Sequence, residues 1–268
     1  LVNIIIENMQ EQYVDFMAGN TADVRVGAEN LGAILPHEAR VATTASTDTT
    51  AGIATIAVAP GEGFAQIFQS LGTSTIVNGG PTMNPSAQDL LNAINSVHAR
   101  EIILLPNDKN IILAAHQVQQ LSDKKVVVVP SCTVPQGLAA LLAFNFQGDL
   151  DTNVKTMNAA LPRIRTLELT HAIRAAQING IAVQANQPIA LLDGELCATG
   201  DELGELAIET LRRAGAPENE IITLYYGSQV TPAAAQEMYS RIQHAFPEQE
   251  IEVHEGGQPL YPYIISVE

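Results

Sequence analysis

Three loops of this chain carry side chains that could bind an anion, and each lies between an apolar run and a helical pattern. The loops span residues 79–86, 106–110 and 130–135. Backbone N–H groups at the start of a helix lack partners and attract carboxylates and phosphates. Lys109 is the only cation in the three loops. The candidate ligand-binding or anion-binding residues are Thr82, Asn84, Ser86, Asn107, Lys109, Asn110, Ser131 and Thr133.

A ninth candidate, His254, lies at the end of a later strand pattern and precedes Gly256 and Gly257. Glycine lets a backbone approach another group closely, so this segment could contact a ligand or form a plain turn. The histidines lack zinc-like spacing to another His or Cys, so no metal site is predicted. No catalytic residue is predicted either, because the phosphate-binding, dinucleotide-binding and nucleophile-elbow motifs are all missing.

The same loops also have a purely structural explanation. Asn84, Ser86, Asn110 and Thr133 are of residue types that cap helix N-termini. Cys132 lies at a helix start, which can lower the pKa of a thiol. With no His or second Cys near it in sequence, a structural role is favoured for this thiol. Helix caps and a shared site therefore both remain open for these loops.

The elements that must position these loops form an α/β pattern. Strand and helix alternate four times between residues 53 and 148, which predicts a parallel sheet with helices on both faces. The three loops should then meet at the carboxyl edge of that sheet and face His254. Asp193-Gly194 predicts a tight hairpin in a second, mixed-sheet lobe. Thr199 and Glu202 have the spacing of a capping box, which predicts a helix start there.

This pattern predicts a two-lobed α/β protein with a cleft between the lobes, where such proteins bind ligands. We expect residues 1–52 to be the tail of an upstream domain plus a linker. Residues 53–148 are expected to form the first lobe, and residues 149–268 the second. Because the chain starts at Leu1 with a strand-like run and no initiator Met, we expect it to be a piece of a longer polypeptide.

Composition narrows the classes of partner. The formal net charge of −16 over 268 residues disfavours nucleic acid and anionic lipid surfaces. Two cysteines far apart do not form a disulfide framework. There is no 18-residue apolar run and no signal peptide, so we expect a soluble, cytoplasmic protein without a membrane span.

At these loops the chain resembles a known family. Residues 77–86, 104–115 and 256–263 are similar to the C-terminal region of the bacterial fatty acid kinase catalytic subunit, of the dihydroxyacetone-kinase-like or DAK phosphatase family. Thr-Met-Asn-Pro-Ser at residues 82–86 and Pro-Asn-Asp-Lys-Asn at residues 106–110 are the most specific stretches. That C-terminal region is itself similar to DegV proteins, which implies a DegV-like fold.

The resemblance implies a function for the whole polypeptide. An N-terminal domain binds ATP and Mg and phosphorylates a fatty acid that a separate DegV-family acyl-binding subunit presents. This chain lacks that domain, so it is expected to hold no cofactor and to be non-catalytic by itself. Its implied role is to dock the acyl-binding subunit for acyl phosphate formation. A homodimer of the full-length protein is left open.

Within the DegV resemblance, two positions match the residues that bind the fatty acid carboxylate. Thr82 matches a carboxylate-binding threonine and His254 matches the histidine of a His-Thr-Gly-Pro motif. The serine expected in the loop at residues 106–110 is missing, and residues 195–202 offer no match for an arginine. This depletion favours docking. The alternatives are a DegV-like module that binds fatty acid or lipid, and an independent dihydroxyacetone-kinase-like phosphotransferase.

Overall fold

The computed structural model describes residues 52–80, 82–178 and 180–268. The predicted upstream tail and linker therefore lie, except for Gly52, outside the described residues. None of the helices in the described ranges is long and apolar enough to cross a membrane.

The first lobe is built on a four-stranded parallel sheet with the strand order β2-β1-β3-β4. Its strands are rich in Ala, Ile, Val and Leu because both faces of a parallel sheet are covered by helices. The strands are β1 (Ile53–Ala59), β2 (Thr75–Asn78), β3 (Glu101–Leu105) and β4 (Lys125–Val128). The helices that follow them are α1 (Glu62–Ser70), α2 (Ala87–Ser96), α3 (Lys109–Leu121), α4 (Val134–Leu142) and α5 (Leu150–Ala160).

Helices cover this sheet on both faces, as the alternating pattern predicts. Leu90 and Ile94 of α2 pack with Ile111 and Val118 of α3 in the core on one face. The other face is covered by apolar side chains of α1, α4 and α5, among them Phe68, Leu138 and Met157.

The second lobe is built on a six-stranded mixed sheet with the order β11-β10-β12-β5-β8-β9. Strands β10 and β11 are parallel, and the remaining neighbours are antiparallel. Its strands are β5 (Arg165–His171), β8 (Pro188–Leu192), β9 (Glu195–Thr199), β10 (Ile221–Tyr226), β11 (Glu250–Glu255) and β12 (Tyr263–Val267). The lobe also contains α6 (Leu203–Arg213), α7 (Pro232–Ala245), short 3₁₀ helices at Leu161–Arg163 and Ala216–Glu218, and a separate hairpin of β6 (Ala176–Ile178) and β7 (Ile181–Val183).

The predicted α/β fold, a parallel-sheet lobe followed by a mixed-sheet lobe, is confirmed. One local prediction is wrong, because α6 begins after Glu202 and not after Thr199. Thr199 is still paired with Ile189 in the β8–β9 ladder, so its backbone is held extended. The Glu202 carboxylate instead accepts a hydrogen bond from the Glu205 N–H at 3.2 Å.

The two lobes share one core. Helices α6 and α7 cover one face of the mixed sheet. Side chains on its opposite face, including Leu191, Tyr225 and Ile264, belong to the same buried cluster as Phe64 and Leu138 of the first lobe. The rings of Phe64 and Tyr225 lie 4.9 Å apart between centroids. Buried side chains from both lobes therefore fill the space where these faces meet.

Candidate functional site

The parallel pairing places the loops after β1, β2, β3 and β4 at one edge of the first sheet. Residues of two of these loops extend to the second lobe. The Lys109 ammonium donates a hydrogen bond to the carbonyl of Gly194, at the turn between β8 and β9, at 3.0 Å. The hydroxyl oxygens of Thr133 and Thr166 lie 2.8 Å apart. Both contacts join the lobes.

Asp193 fixes the receiving side of this junction. Its carboxylate accepts a hydrogen bond from the Thr166 N–H at 2.9 Å, and its own N–H donates to the Thr166 carbonyl at 2.8 Å. Arg165 forms an ion pair with the same carboxylate at 2.7 Å. The Asp193-Gly194 turn is therefore held rigidly against β5, where Lys109 meets it.

Asn107 and Ser131 form an internal network beside this junction. The Ser131 hydroxyl donates to Asn107 Oδ1 at 2.7 Å, and the Asn107 N–H donates to Ser131 Oγ at 3.1 Å. Asn107 Nδ2 also donates to the Val58 carbonyl at 2.8 Å. A Cβ on Gly137 would lie 1.9 Å from Asn107 Oδ1, so only glycine fits there. These two candidate side chains hold three strand ends together.

Some of the remaining candidates are helix caps. Ser86 forms a reciprocal capping box with Asp89 at the start of α2. The Thr133 hydroxyl accepts from the Gln136 N–H at 3.4 Å, so Thr133 caps α4 as well as joining the lobes. Asp108, and not Asn110, caps α3, because its carboxylate accepts from the Asn110 N–H at 2.7 Å.

The first of the three loops lies at the outer edge of the sheet, because it follows the edge strand β2. Thr82 is exposed and Asn84 is half-buried. The buried residue of this loop is Met83, which adopts a positive φ of 56°. The matched threonine of the resemblance is therefore on the surface.

Glu168 was not recognised from the sequence, and it belongs to the lobe junction. It lies between Leu167 and Leu169 in an alternating strand, a pattern usually given by a solvent-facing residue. Alternation places it on the same face of β5 as Thr166, which faces the first lobe. Burial raises the pKa of its carboxyl to about 8; Asp108 and Asp193 add to this rise, and Lys109 opposes it.

Two neighbouring groups are shifted in the same surroundings. Burial raises the pKa of the Tyr261 phenol well above its usual value, and Glu168 and Asp108 raise it further. Burial likewise raises the pKa of the Cys132 thiol, while Lys109 opposes the rise. The effect of burial thus exceeds that of the helix start on Cys132. A protonated, unreactive thiol agrees with a structural role.

His254 lies apart from this junction. It is on the edge strand β11, three strand spacings from β5 in the sheet order, a separation of about 14 Å. Its ring stacks on Tyr225 with centroids 5.9 Å apart, and its Nε2 lies 3.2 Å from a Glu252 carboxylate oxygen. The nine candidates are therefore not gathered in one place.

The glycines after His254 contact the other lobe. A Cβ on Gly61 would lie 2.4 Å from the Gly257 carbonyl carbon, and a Cβ on Gly63 would lie 1.8 Å from the Glu255 carbonyl oxygen. The Phe64 N–H donates to the Gly256 carbonyl at 3.0 Å. The backbone that these glycines allow to come close is thus the N-terminus of α1.

A groove lies beside this contact, between α1 and β11. Its volume is about 430 Å³, and it is open to solvent. Its lining residues are Glu62, Gly63, Gln66, Ile67, Ser70, His254 and Glu255. No group of three His, Cys, Asp or Glu side chains that could hold a metal ion exists among the described residues.

Comparisons with known proteins agree with this architecture. The solved structure of the DegV family protein Cg2579 from Corynebacterium glutamicum has a TM-score of 0.61 at 15% identity, covering 81% of this chain and 96% of that one. The Streptococcus pneumoniae fatty acid kinase B3 protein, solved loaded with linoleic acid, has a TM-score of 0.53 at 14% identity, covering 81% and 99%. At these identities the likeness shows a DegV-like fold alone.

Sequence comparison is more specific. The chain is 33% identical to protein YloV of Bacillus subtilis over 268 residues, which is 100% of this chain and 45% of that protein. The chain thus spans about half the length of the curated relatives that it matches. Residues 54–268 match the profile of the FakA-like C-terminal family, which takes its name from one of the subunits of fatty acid kinase. The chain therefore belongs to the FakA-like C-terminal family of fatty acid kinase subunits.

Proposed function

We propose that this chain is the non-catalytic C-terminal region of a fatty acid kinase catalytic subunit, and that it docks a DegV-type acyl-binding subunit for acyl phosphate formation. Membership of the FakA-like C-terminal family supports the assignment to a kinase. The catalytic groups, with ATP and Mg, belong in this proposal to a part of the protein outside this chain.

One observation carries the docking role. The polar groups that could have bound a fatty acid carboxylate at the sheet edge are used to join the lobes, as the Lys109–Gly194 and Thr133–Thr166 contacts show. Behind them, Phe64, Tyr225 and Leu191 fill the inter-lobe space. A DegV-like fold whose lobes are fastened in this way offers its outer surface to a partner.

Titration of the purified protein with an acyl-loaded DegV-type subunit tests this proposal. We expect a complex at tens of micromolar by isothermal titration calorimetry or analytical ultracentrifugation. The matched control is the same subunit titrated with bovine serum albumin, which is also acidic and should not bind. Failure to form a complex at these concentrations would overturn the docking role.

The second candidate function is fatty acid binding by this chain itself. It is favoured by the fold shared with the Streptococcus pneumoniae protein that was solved loaded with linoleic acid. Native mass spectrometry after mild purification separates the two functions. The docking proposal expects an empty protein whose thermal midpoint does not change with added oleate. A bound fatty acid together with oleate-dependent stabilisation would establish the second function.

A further inference from the structure

Strand β11 forms one edge of the six-stranded sheet. It pairs with β10 on one side, and no strand of the described residues pairs with its other side. Ile251 and Val253 turn towards the core beneath α7, while Glu252 and His254 point to the opposite face. An edge strand presents backbone N–H and C=O groups that an extended segment of another chain can pair with.

The α1 side of the groove complements this edge. Glu62, Gln66 and Ser70 are spaced by one helical turn and line one stripe of α1, with Ile67 beside them. The groove therefore combines a polar wall, an apolar contact and an open strand edge. These are the elements that recognise the backbone and the alternating side chains of an extended peptide.

The charge of the groove selects the kind of segment. Glu62 and Glu255 line it, Glu252 lies next to His254, and neither Lys nor Arg is among the lining residues. A fatty acid carboxylate would be repelled here. A second copy of this chain, which carries the same carboxylates, would be repelled as well. A segment rich in Lys or Arg is attracted.

We propose that the groove between α1 and β11 is the docking surface for an extended, cationic segment of the acyl-binding subunit, which adds a strand to the β11 edge. This inference rests on the docking function proposed above and names the surface that performs it. The Lys109–Thr133 junction takes no part in the contact, since it lies about three strand spacings away in the sheet order.

Charge reversal in the groove tests this surface. The double variant Glu252→Lys/Glu255→Lys changes two exposed residues of β11. Its matched control, Asp123→Lys/Glu195→Lys, makes the same change in net charge at two exposed positions, one in the loop before β4 and one on β9, the opposite edge of the sheet. Circular dichroism and thermal midpoints verify that both variants are folded.

The measured quantity is the Kd for an acyl-loaded DegV-type subunit, at low and at high NaCl. We expect the β11 variant to weaken binding at least about tenfold and to flatten its salt dependence, and the control to stay within about twofold of wild type. Amide hydrogen exchange should show new protection on β11 in the complex and unchanged exchange on β9.

The outcomes separate this inference from the function beneath it. If the wild-type protein does not bind the subunit, the docking function itself is wrong. If wild type binds but both double variants bind equally well, docking stands and the groove is not its surface. New protection away from α1 and β11 would likewise place the partner elsewhere and overturn the groove.

Discussion

The Lys109 ammonium lies 3.0 Å from the Gly194 carbonyl oxygen and so connects the start of α3 in the first lobe to the β8–β9 turn of the second. The same ammonium opposes the rise in the pKa of Glu168. It is therefore both a link between the lobes and a local counter-charge for the carboxyls at their junction.

Replacing Lys109 by Met keeps most of the aliphatic stem and removes the charge. We expect the free energy of unfolding to fall by about 1–3 kcal/mol, because a charge-assisted hydrogen bond and the counter-charge are both lost. Urea denaturation at pH 7 measures this change. Lys155→Met, at an exposed position of α5, is the control and should change stability by less than about 0.5 kcal/mol. Equal effects from the two variants would contradict the role of Lys109.

Glu168→Gln should alter the pH dependence of stability. The folded-state pKa of Glu168, about 8, lies above its ordinary value of 4.5. The folded protein therefore binds the proton more tightly than the unfolded chain. Its contribution to stability is fully present below pH 4.5 and is lost progressively up to about pH 8. Glutamine keeps the shape and cannot ionise.

The difference in unfolding free energy between Glu168→Gln and wild type should accordingly rise from pH 4.5 and level off above about pH 8. There we expect the variant to be more stable by about 1–3 kcal/mol, a range that allows for the partial solvent access of this side chain. Thermal denaturation across this pH range measures it. Glu195→Gln, which removes an exposed carboxyl from β9, is the control. A pH-independent difference for Glu168→Gln would show that its carboxyl is not held protonated.

The hydroxyl pair of Thr133 and Thr166 suits a double-mutant cycle. Each single change to Val leaves the other buried hydroxyl without this partner and should cost about 1–2 kcal/mol. The double variant removes both hydroxyls and should cost less than the sum of the single changes. A coupling free energy of about 1 kcal/mol is expected from urea denaturation. Strict additivity would mean that the two hydroxyls do not interact.

Gly63→Ala tests the close approach of the lobes. The added Cβ would lie 1.8 Å from the Glu255 carbonyl oxygen, so backbone must move. We expect a loss of about 2–4 kcal/mol in unfolding free energy, although alanine favours a helix. Gly204→Ala is a matched control, since Gly204 is also the second residue of its helix.

At Gly204 the added Cβ would meet the guanidinium end of the Arg241 side chain, which can rotate away. We therefore expect the control to change stability by less than about 1 kcal/mol. Differential scanning calorimetry of the two variants beside wild type measures both effects. A mild Gly63→Ala variant would show that the contact between α1 and β11 adjusts easily.

Much of the fold was predictable, because strand and helix periodicities in residues 53–148 are regular and the Asp193-Gly194 turn has a strong local signal. The β6–β7 hairpin escaped prediction, since its three-residue strands are too short to show a period. The 3₁₀ helix at Leu161–Arg163 moved the start of β5 to Arg165, past the expected start at Arg163.

The candidate site was less predictable. Lys109 and Thr133 are prominent in sequence, but their partners Gly194 and Thr166 lie in the other lobe, and no local pattern announces such a pairing. The same holds for Gly63, whose need for glycine comes from Glu255. Glu168 shows the reverse case, because only the arrival of the first lobe turns a solvent-facing strand position into a buried one.

The core shared between the sheets bears on how the protein comes apart. Phe64 and Leu138 are buried against Tyr225 and Leu191 in one cluster, so neither lobe completes its own interior. Cleaving the chain near residue 148 would then give two fragments with large apolar faces, prone to aggregate or to reassociate. Heating the intact protein should melt both sheets in a single cooperative transition. What the chain pattern divides into two lobes thus behaves energetically as one folding unit.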